Sequence, residues 1–366
     1  MQLRIPGPTP VPPHILQALS QQMINHRGPG FADIIWRVTQ RLKQVFQTQG
    51  DVYILTASGT GGMEAAIVNT LSPGDKVLSV SIGFFGDRFA DIAQQYGAEV
   101  ERLEFEWGQA ADPEMVRRAL KAHPQVKAVL LTHNETSTGV TNDLGTLCSV
   151  VGEFDKLLLV DAISSLSSID LPVDKWGCDV VVTSSQKGWM VPPGLAMVSV
   201  SPRAWQAYAT AKMPRYYWDF AKARSFLEKG QTPWTPVLSV FFALDIALEL
   251  LLQEGLPNVF ARHARIADMV RSGIKSLGLR LFADERHASN TVTAVANPDG
   301  LDNKQFLKVL REQYDVVLSG GQQRLEGKIF RIGHLGWVED KDVAEVIGGI
   351  KSALDKLGFK TGVSAR

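Results

Sequence analysis

The chain has 366 residues, a formal net charge of zero from 38 basic and 38 acidic side chains, and two cysteines, Cys148 and Cys178. A single core seldom grows past about 250–300 residues, so two domains are expected; charge balance without a basic run excludes a nucleic-acid footprint, and two cysteines exclude a disulfide scaffold. No apolar run reaches the roughly 18 residues of a membrane span, "MQLRIPGPTPVPPHI" has no signal-peptide core and "GVSAR" no retention or peroxisomal ending, so no membrane partner and a cytoplasmic location are expected.

In chain order, the Pro-rich opening at residues 5–13 predicts an extended arm, taken as residues 1–20, that would dangle from an isolated chain. From residue 51 strand and helix patterns alternate. "VYILTA" is followed by the helix "GMEAAIVNTL", "KVLSVS" by the helix "DRFADIAQQYG", "EVERLEF" by "PEMVRRALKA" with Asp112 as its cap, and "KAVLLTH" by a helix near 143–154. "KLLLVD", "DVVVTSS" and "LAMVSV" add three more strands. Runs apolar on both faces predict parallel strands covered on both sides, hence a mostly parallel, doubly wound α/β sheet. A helix from Pro236 to about Gln253 ends at "EGLPN", which sets a boundary between a large domain (21–254) and a small α/β C-terminal domain (255–366). The latter is read as a helix from Val259 to Leu277, "NTVTAVANP", a helix near Lys304 to Gln313, and "KIFRIG".

In open parallel sheets ligands lie beyond the carboxyl ends of the strands. Those ends present "TASGTGG", "SIGFFGD", "THNETSTG", "VDAIS" and "TSSQKG". Ser58, Gly59 and Thr60 precede a helix, and read either as a phosphate cradle or as an ordinary Ser-capped glycine turn. A dinucleotide fingerprint fits poorly because Glu64 stands at the third small position, and no P-loop is present. Asp161 is a helix cap, an ion-pair partner, or the acid that holds a heterocyclic nitrogen protonated; Lys187 is a snorkelling surface lysine or a desolvated amine. Cradle, aromatic at Phe84 or Phe85, acid and amine together are the parts that hold pyridoxal phosphate as a Schiff base. "LSGGQQR" at 318–324 reads as a coincidental surface loop, the cysteines as buried small hydrophobes, and His26 as an entrance or a structural histidine.

The stretches "PGPTPVPP", "SGTGGMEAA", "HNETSTGV", "LLLVDAISSL", "SSQKG" with "PPG", "TPWTPV" and "FRIGHLG" occur in family order over almost the whole chain. On them the chain resembles a class V, fold-type I pyridoxal-phosphate aminotransferase of the alanine–glyoxylate and serine–glyoxylate branch. The resemblance implies that Lys187 bears the Schiff base and that Ser58, Gly59, Thr60 and Gln186 take the cofactor phosphate. Asp161 would pair with the ring nitrogen, Ile163 and Phe85 would cover the two ring faces, and Thr136 would sit beside the phenolic oxygen. Thr232 and Thr235 would reach the phosphate of a neighbouring subunit in a homodimer, and Arg331 would clamp the substrate carboxylate. No metal is implied. The family more often has Trp where Phe85 stands and Tyr where Thr232 stands. The implied activity moves an amino group from a small L-amino acid, alanine first and serine second, to glyoxylate. Competing expectations are desulfuration or lyase chemistry on the same fold, a nicotinamide-dependent oxidoreductase, and a non-catalytic assembly subunit.

Overall fold

The structure, a computed structural model, describes residues 1–360 and Gly362; residue 361 and residues 363–366, which include most of the "GVSAR" ending, lie outside the described residues. Seven strands form the main sheet: β1 (Asp51–Ala57), β2 (Lys76–Ser81), β3 (Glu99–Glu104), β4 (Ala128–Thr132), β5 (Leu157–Asp161), β6 (Val180–Ser184) and β7 (Gly194–Val200). Their order is β1-β7-β6-β5-β4-β2-β3. Strands β2 to β6 run parallel, whereas β7 is antiparallel to both β1 and β6. The run "LAMVSV" is apolar on both faces, as a parallel strand would be, but only nine residues separate it from β6, too few for a crossover.

Alternation along the strands divides the core into two layers. Val77, Leu130, Leu159 and Val182 face Met63, Ile67 and Phe89, from the helices Gly59–Thr70 and Phe84–Gln95. Leu78, Val129, Leu158 and Val181 face Phe31, Leu42, Phe241 and Leu248, from the helices Pro29–Phe46 and Leu238–Glu254. With both faces covered, only the strand ends are open to a ligand. The direction of winding reverses between β2 and β4, which makes the mouth of those strands a crevice.

The long helix Leu238–Glu254 stops at Gly255, whose φ of +83 favours glycine. The next helix, Leu256–Ser276, starts earlier than the sequence pattern suggests because Pro257 sits in its first turn, where no amide hydrogen is needed. This helix packs with Asn303–Tyr314 and Asp340–Lys356 around a separate core containing Ile266, Phe306, Phe330 and Ile350. Its sheet consists of β8 (Val292–Ala296), β9 (Ser319–Gly320) and β10 (Ile329–Gly333), with β10 in the centre. The N-terminal segment does not dangle from the chain. Gln2–Leu3 pairs with Val316–Val317, and Pro13–Leu19 forms a helix that buries Ile15 and Ala18. No helix among the described residues is long and apolar enough to cross a membrane.

Candidate active site

The ends of β4, β5 and β6 and the starts of two helices meet at a cavity of about 160 Å³. Nine of the residues singled out from sequence line it: Ser58, Gly59, Thr60, Phe85, Thr136, Asp161, Ile163, Gln186 and Lys187.

At one end, Ser58 is the N-cap of the helix Gly59–Thr70, and its hydroxyl makes no capping bond. The first amide to enter the helical pattern is that of Gly62, which donates to the Ser58 carbonyl at 3.2 Å. The amides of Gly59, Thr60 and Gly61 therefore have no helical acceptor, an arrangement that attracts an anion. A Cβ on Gly59 would lie 2.5 Å from Ile163 Cδ1, so only glycine lets Ile163 close over the cradle. Ser184 Oγ donates to Gln186 Oε1 at 2.5 Å, which leaves the Gln186 amide nitrogen as the outward donor. Arg88, not singled out from sequence, also lines this end. Its guanidinium lies 4.7 and 5.0 Å from the ring centres of Phe84 and Phe85, its Nη1 is 3.5 Å from Thr60 Oγ1, and it forms no ion pair among the described residues. The available signal was its spacing, one helical turn beyond the two aromatics.

In the middle stand the acid and the amine. Asp161 ends β5 and is 3% exposed; Oδ1 accepts the Ile163 amide at 2.9 Å, while Oδ2 has no hydrogen-bond partner among the described residues. Burial pushes its carboxyl up to about 7. Lys187 lies three residues beyond β6. Its stem lines the cavity, and its amine, enclosed by protein, donates to the Pro6 carbonyl at 2.5 Å. Desolvation brings that amine down to about 8, against the opposing pull of Asp161. A buried carboxylate with a free oxygen is stable as an anion only beside a cation or a strong N–H donor.

Arg331, on β10, is 6% exposed and sits at the rim behind Thr136. Nε donates to the Gly320 carbonyl at 3.0 Å, and Nη1 to the Thr136 carbonyl and to Gln322 Oε1, both at 3.1 Å; Nη2 makes no hydrogen bond among the described residues. The guanidinium is thus fixed with the two N–H groups of Nη2 left to donate to a carboxylate. Two of these anchors, Gly320 and Gln322, lie in "LSGGQQR", so this surface loop also orients an arginine. Burial lowers the guanidinium to about 10, with Glu135 acting in the opposite direction, so it is charged at neutral pH.

Glu135 is a second residue that sequence reading passed over. It is fully buried, accepts the Phe85 and Gly86 amides at 3.0 and 3.1 Å on one oxygen, and accepts the Ser137 amide and hydroxyl at 3.0 and 2.6 Å on the other. It therefore caps the helix Phe84–Gln95 from a different segment and fixes the Phe85 backbone beside Thr136. Thr136 Oγ1 donates to Ser164 Oγ at 2.8 Å. Thr232 and Thr235 are not brought into the cavity: Thr232 donates to the Trp234 carbonyl at 2.7 Å in a separate depression beside β1, and Thr235 is exposed. His26 is half-buried on the surface. Cys148 and Cys178 are buried, facing each other at 3.7 Å.

An anion cradle, an acid with a free oxygen, an aromatic face and an enclosed amine define a site built for a phosphorylated aldehyde with a basic ring. The comparisons agree. The model of "Aminotransferase class-V" matches residues 3–332, and the chain belongs to that family. Among relatives, the soluble hydrogenase 42 kDa subunit of Anabaena cylindrica is 45% identical over 98% of this chain and 94% of that protein. An L-aspartate–glyoxylate aminotransferase of Paracoccus denitrificans is 39% identical over 95% and 89%. A solved alanine–glyoxylate aminotransferase from Nostoc sp. superposes with a TM-score of 0.93 at 32% identity, covering 96% of this chain and 95% of that one. The fold is that of the fold-type I aminotransferases, and the cofactor is pyridoxal 5′-phosphate. The groups present fit it: the amides of Gly59, Thr60 and Gly61, without helical acceptors, suit the phosphate, and the Asp161 Oδ2 suits a protonated ring nitrogen.

Proposed function

We propose that the chain is a transaminase that takes the amino group of a small L-amino acid, alanine first and serine second, and gives it to glyoxylate in two half-reactions, as a cytoplasmic homodimer. One observation carries this reading: Lys187, Asp161 and the phosphate cradle share one cavity, with a pre-oriented arginine at its rim. Once bound, pyridoxal phosphate supplies an aldehyde carbon for the amino group and a ring that accepts the electron pair of the broken Cα–H bond.

The protein's own residues do the rest. Ser58, Gly59, Thr60 and Gln186 would hold the phosphate, Ile163 and Phe85 would cover the two ring faces, and Thr136 would sit beside the phenolic oxygen. Asp161 holds a proton on the ring nitrogen. Lys187 is the amine that would hold the cofactor's aldehyde carbon and, when free, would carry a proton to or from the substrate Cα as general base and acid. Arg331 receives the carboxylate and so fixes which Cα bond is presented for cleavage. Thr232 and Thr235, outside this chain's cavity, serve the phosphate in the neighbouring subunit.

Two expected results test these roles. Arg331→Ala removes a charge-assisted pair worth about 2–3 kcal/mol, so KM for donor and for glyoxylate rises roughly 30- to 150-fold. Normal half-reaction kinetics in that variant would remove Arg331 from the site. The free Lys187 amine is the nucleophile, so the rate at which apoenzyme captures pyridoxal phosphate rises with pH and levels off above about 8. A profile still climbing tenfold per unit at pH 9.5 would contradict the enclosed amine.

Desulfuration needs a reactive thiol at the substrate, and both cysteines of the chain are buried against each other instead. The family match sets aside the nicotinamide-dependent oxidoreductase. The aspartate specificity of one relative keeps that donor in the test. Purified enzyme is assayed with alanine, serine and aspartate against glyoxylate and pyruvate, scoring oxo-acid product and sulfide. Alanine with glyoxylate is expected to give the largest kcat/KM; no transfer from any donor would overturn the proposal.

A further inference from the structure

The lysine amine is not held by the large domain alone. Its acceptor, the Pro6 carbonyl, belongs to a strap formed by residues 2–9 that is stitched down at both ends. At the far end Gln2–Leu3 extends the strand Val316–Val317, Arg4 makes a buried ion pair with Asp342 at 2.7 Å, and the Gly333 amide donates to the Arg4 carbonyl at 2.7 Å. Gly333 closes β10, the strand of Arg331. At the near end the Thr9 amide donates to the Gln186 carbonyl at 3.2 Å, and Thr9 Oγ1 to the Lys187 carbonyl at 3.0 Å. Between them Gly7 has a φ of +123, and a Cβ there would lie 2.8 Å from both Cδ and Nζ of Lys187. Two carbonyls two residues apart in the strap thus reach the carboxylate-clamp strand and the reactive amine.

We propose that this strap positions Lys187: the Pro6 carbonyl docks the amine at the cavity whenever it is not bonded to the cofactor, and Gly7 keeps the docking place clear. Both functions need the strap to stay fixed, which its attachment to β10 and Asp342 provides. An ammonium or amine donates but an inert packing segment would not offer an acceptor aimed at it, and polar backbone buried against a lysine stem has a cost unless paired. Pro6 is suited to the place because, lacking an amide hydrogen, it presents only its carbonyl. The consequence is kinetic. A displaced amine that is held near the reacting carbon regains its bond quickly, whereas misplacement by about 1 Å slows such a step by up to about a hundredfold.

The inference rests on Lys187 being the residue that bonds the cofactor, and its test keeps the two claims apart. Full-length apoenzyme is mixed with pyridoxal 5′-phosphate and the rate of chromophore formation is measured; in parallel the Kd of pyridoxamine 5′-phosphate, which fills the same cavity but has no aldehyde for lysine, is determined. Gly7→Ala is expected to slow capture at least about tenfold and to leave the pyridoxamine phosphate Kd within about threefold. Arg4→Met, which loosens the far end without touching the cavity, is expected to slow capture about threefold, and decides the matter if Gly7→Ala does not fold. Wild-type capture rates in the folded variants, or capture and pyridoxamine phosphate affinity falling in parallel, would overturn the strap's role. Absence of any chromophore in the wild-type protein would instead overturn the assignment of Lys187 itself.

Discussion

Lys187→Ala is expected to fold normally, to give no absorbance band near the visible edge with pyridoxal phosphate, and to turn over about 10²- to 10⁴-fold more slowly than wild type. Only the side chain beyond Cβ is lost, and the β6 pairing with β5 and β7 that precedes it is made by backbone. The cofactor then binds through phosphate and ring contacts without a bond to protein. Because the proposal gives the same amine both the bond to the cofactor and the proton transfer, one substitution is expected to remove two functions. An unchanged spectrum would show that another amine bears the cofactor.

Asp161→Ala gives the second largest effect. An anion against a ring nitrogen raises that nitrogen's pKa by about 1–3 units, equivalent to about 1.4–4 kcal/mol in holding the proton. Turnover is expected to fall roughly 10- to 1,000-fold, while Lys187 still bonds the cofactor and the chromophore persists. That split separates the two residues: losing Lys187 removes the band, losing Asp161 keeps it and slows Cα–H cleavage. A variant with wild-type half-reaction rates would make Asp161 a structural acid. Its carboxyl, pushed up to about 7 by burial against the opposing pull of Lys187 and Arg88, also gives a readout: a ring cation against it is expected to return it to the anion, detectable as proton release on cofactor binding at pH 6–7.

Most of the large domain was legible in the sequence because its strands are apolar on both faces and its helices are separated by turn residues. The two helices that open onto the cavity were read three residues short. Gly59, Gly61 and Gly62 look like helix breakers, but they sit inside the helix Gly59–Thr70 because added Cβ atoms would strike Ile163, Trp218 and Val182. Glycine there reports close approach, not a turn. The helix Phe84–Gln95 lacks a Ser, Thr, Asp or Asn cap of its own, and Ser137 and Glu135, some fifty residues away in the chain, supply the acceptors for its first three amides. Local pattern could not show that. The same holds for the Pro6 carbonyl, since a backbone acceptor has no letter in the sequence. Arg88 and the loop that anchors Arg331 were missed because their meaning depends on what the fold places beside them. Thr232 and Thr235, by contrast, came only from family likeness, and within one chain they lie away from the cavity.

The most direct measurement is reduction of the purified, cofactor-loaded protein with borohydride, followed by digestion and mass spectrometry of the peptide spanning residues 180–194. The expected result is a single reduced pyridoxyl-phosphate adduct on Lys187, with loss of the visible band; a reduced protein carrying no adduct on that peptide, or carrying it on a different lysine, would contradict the account.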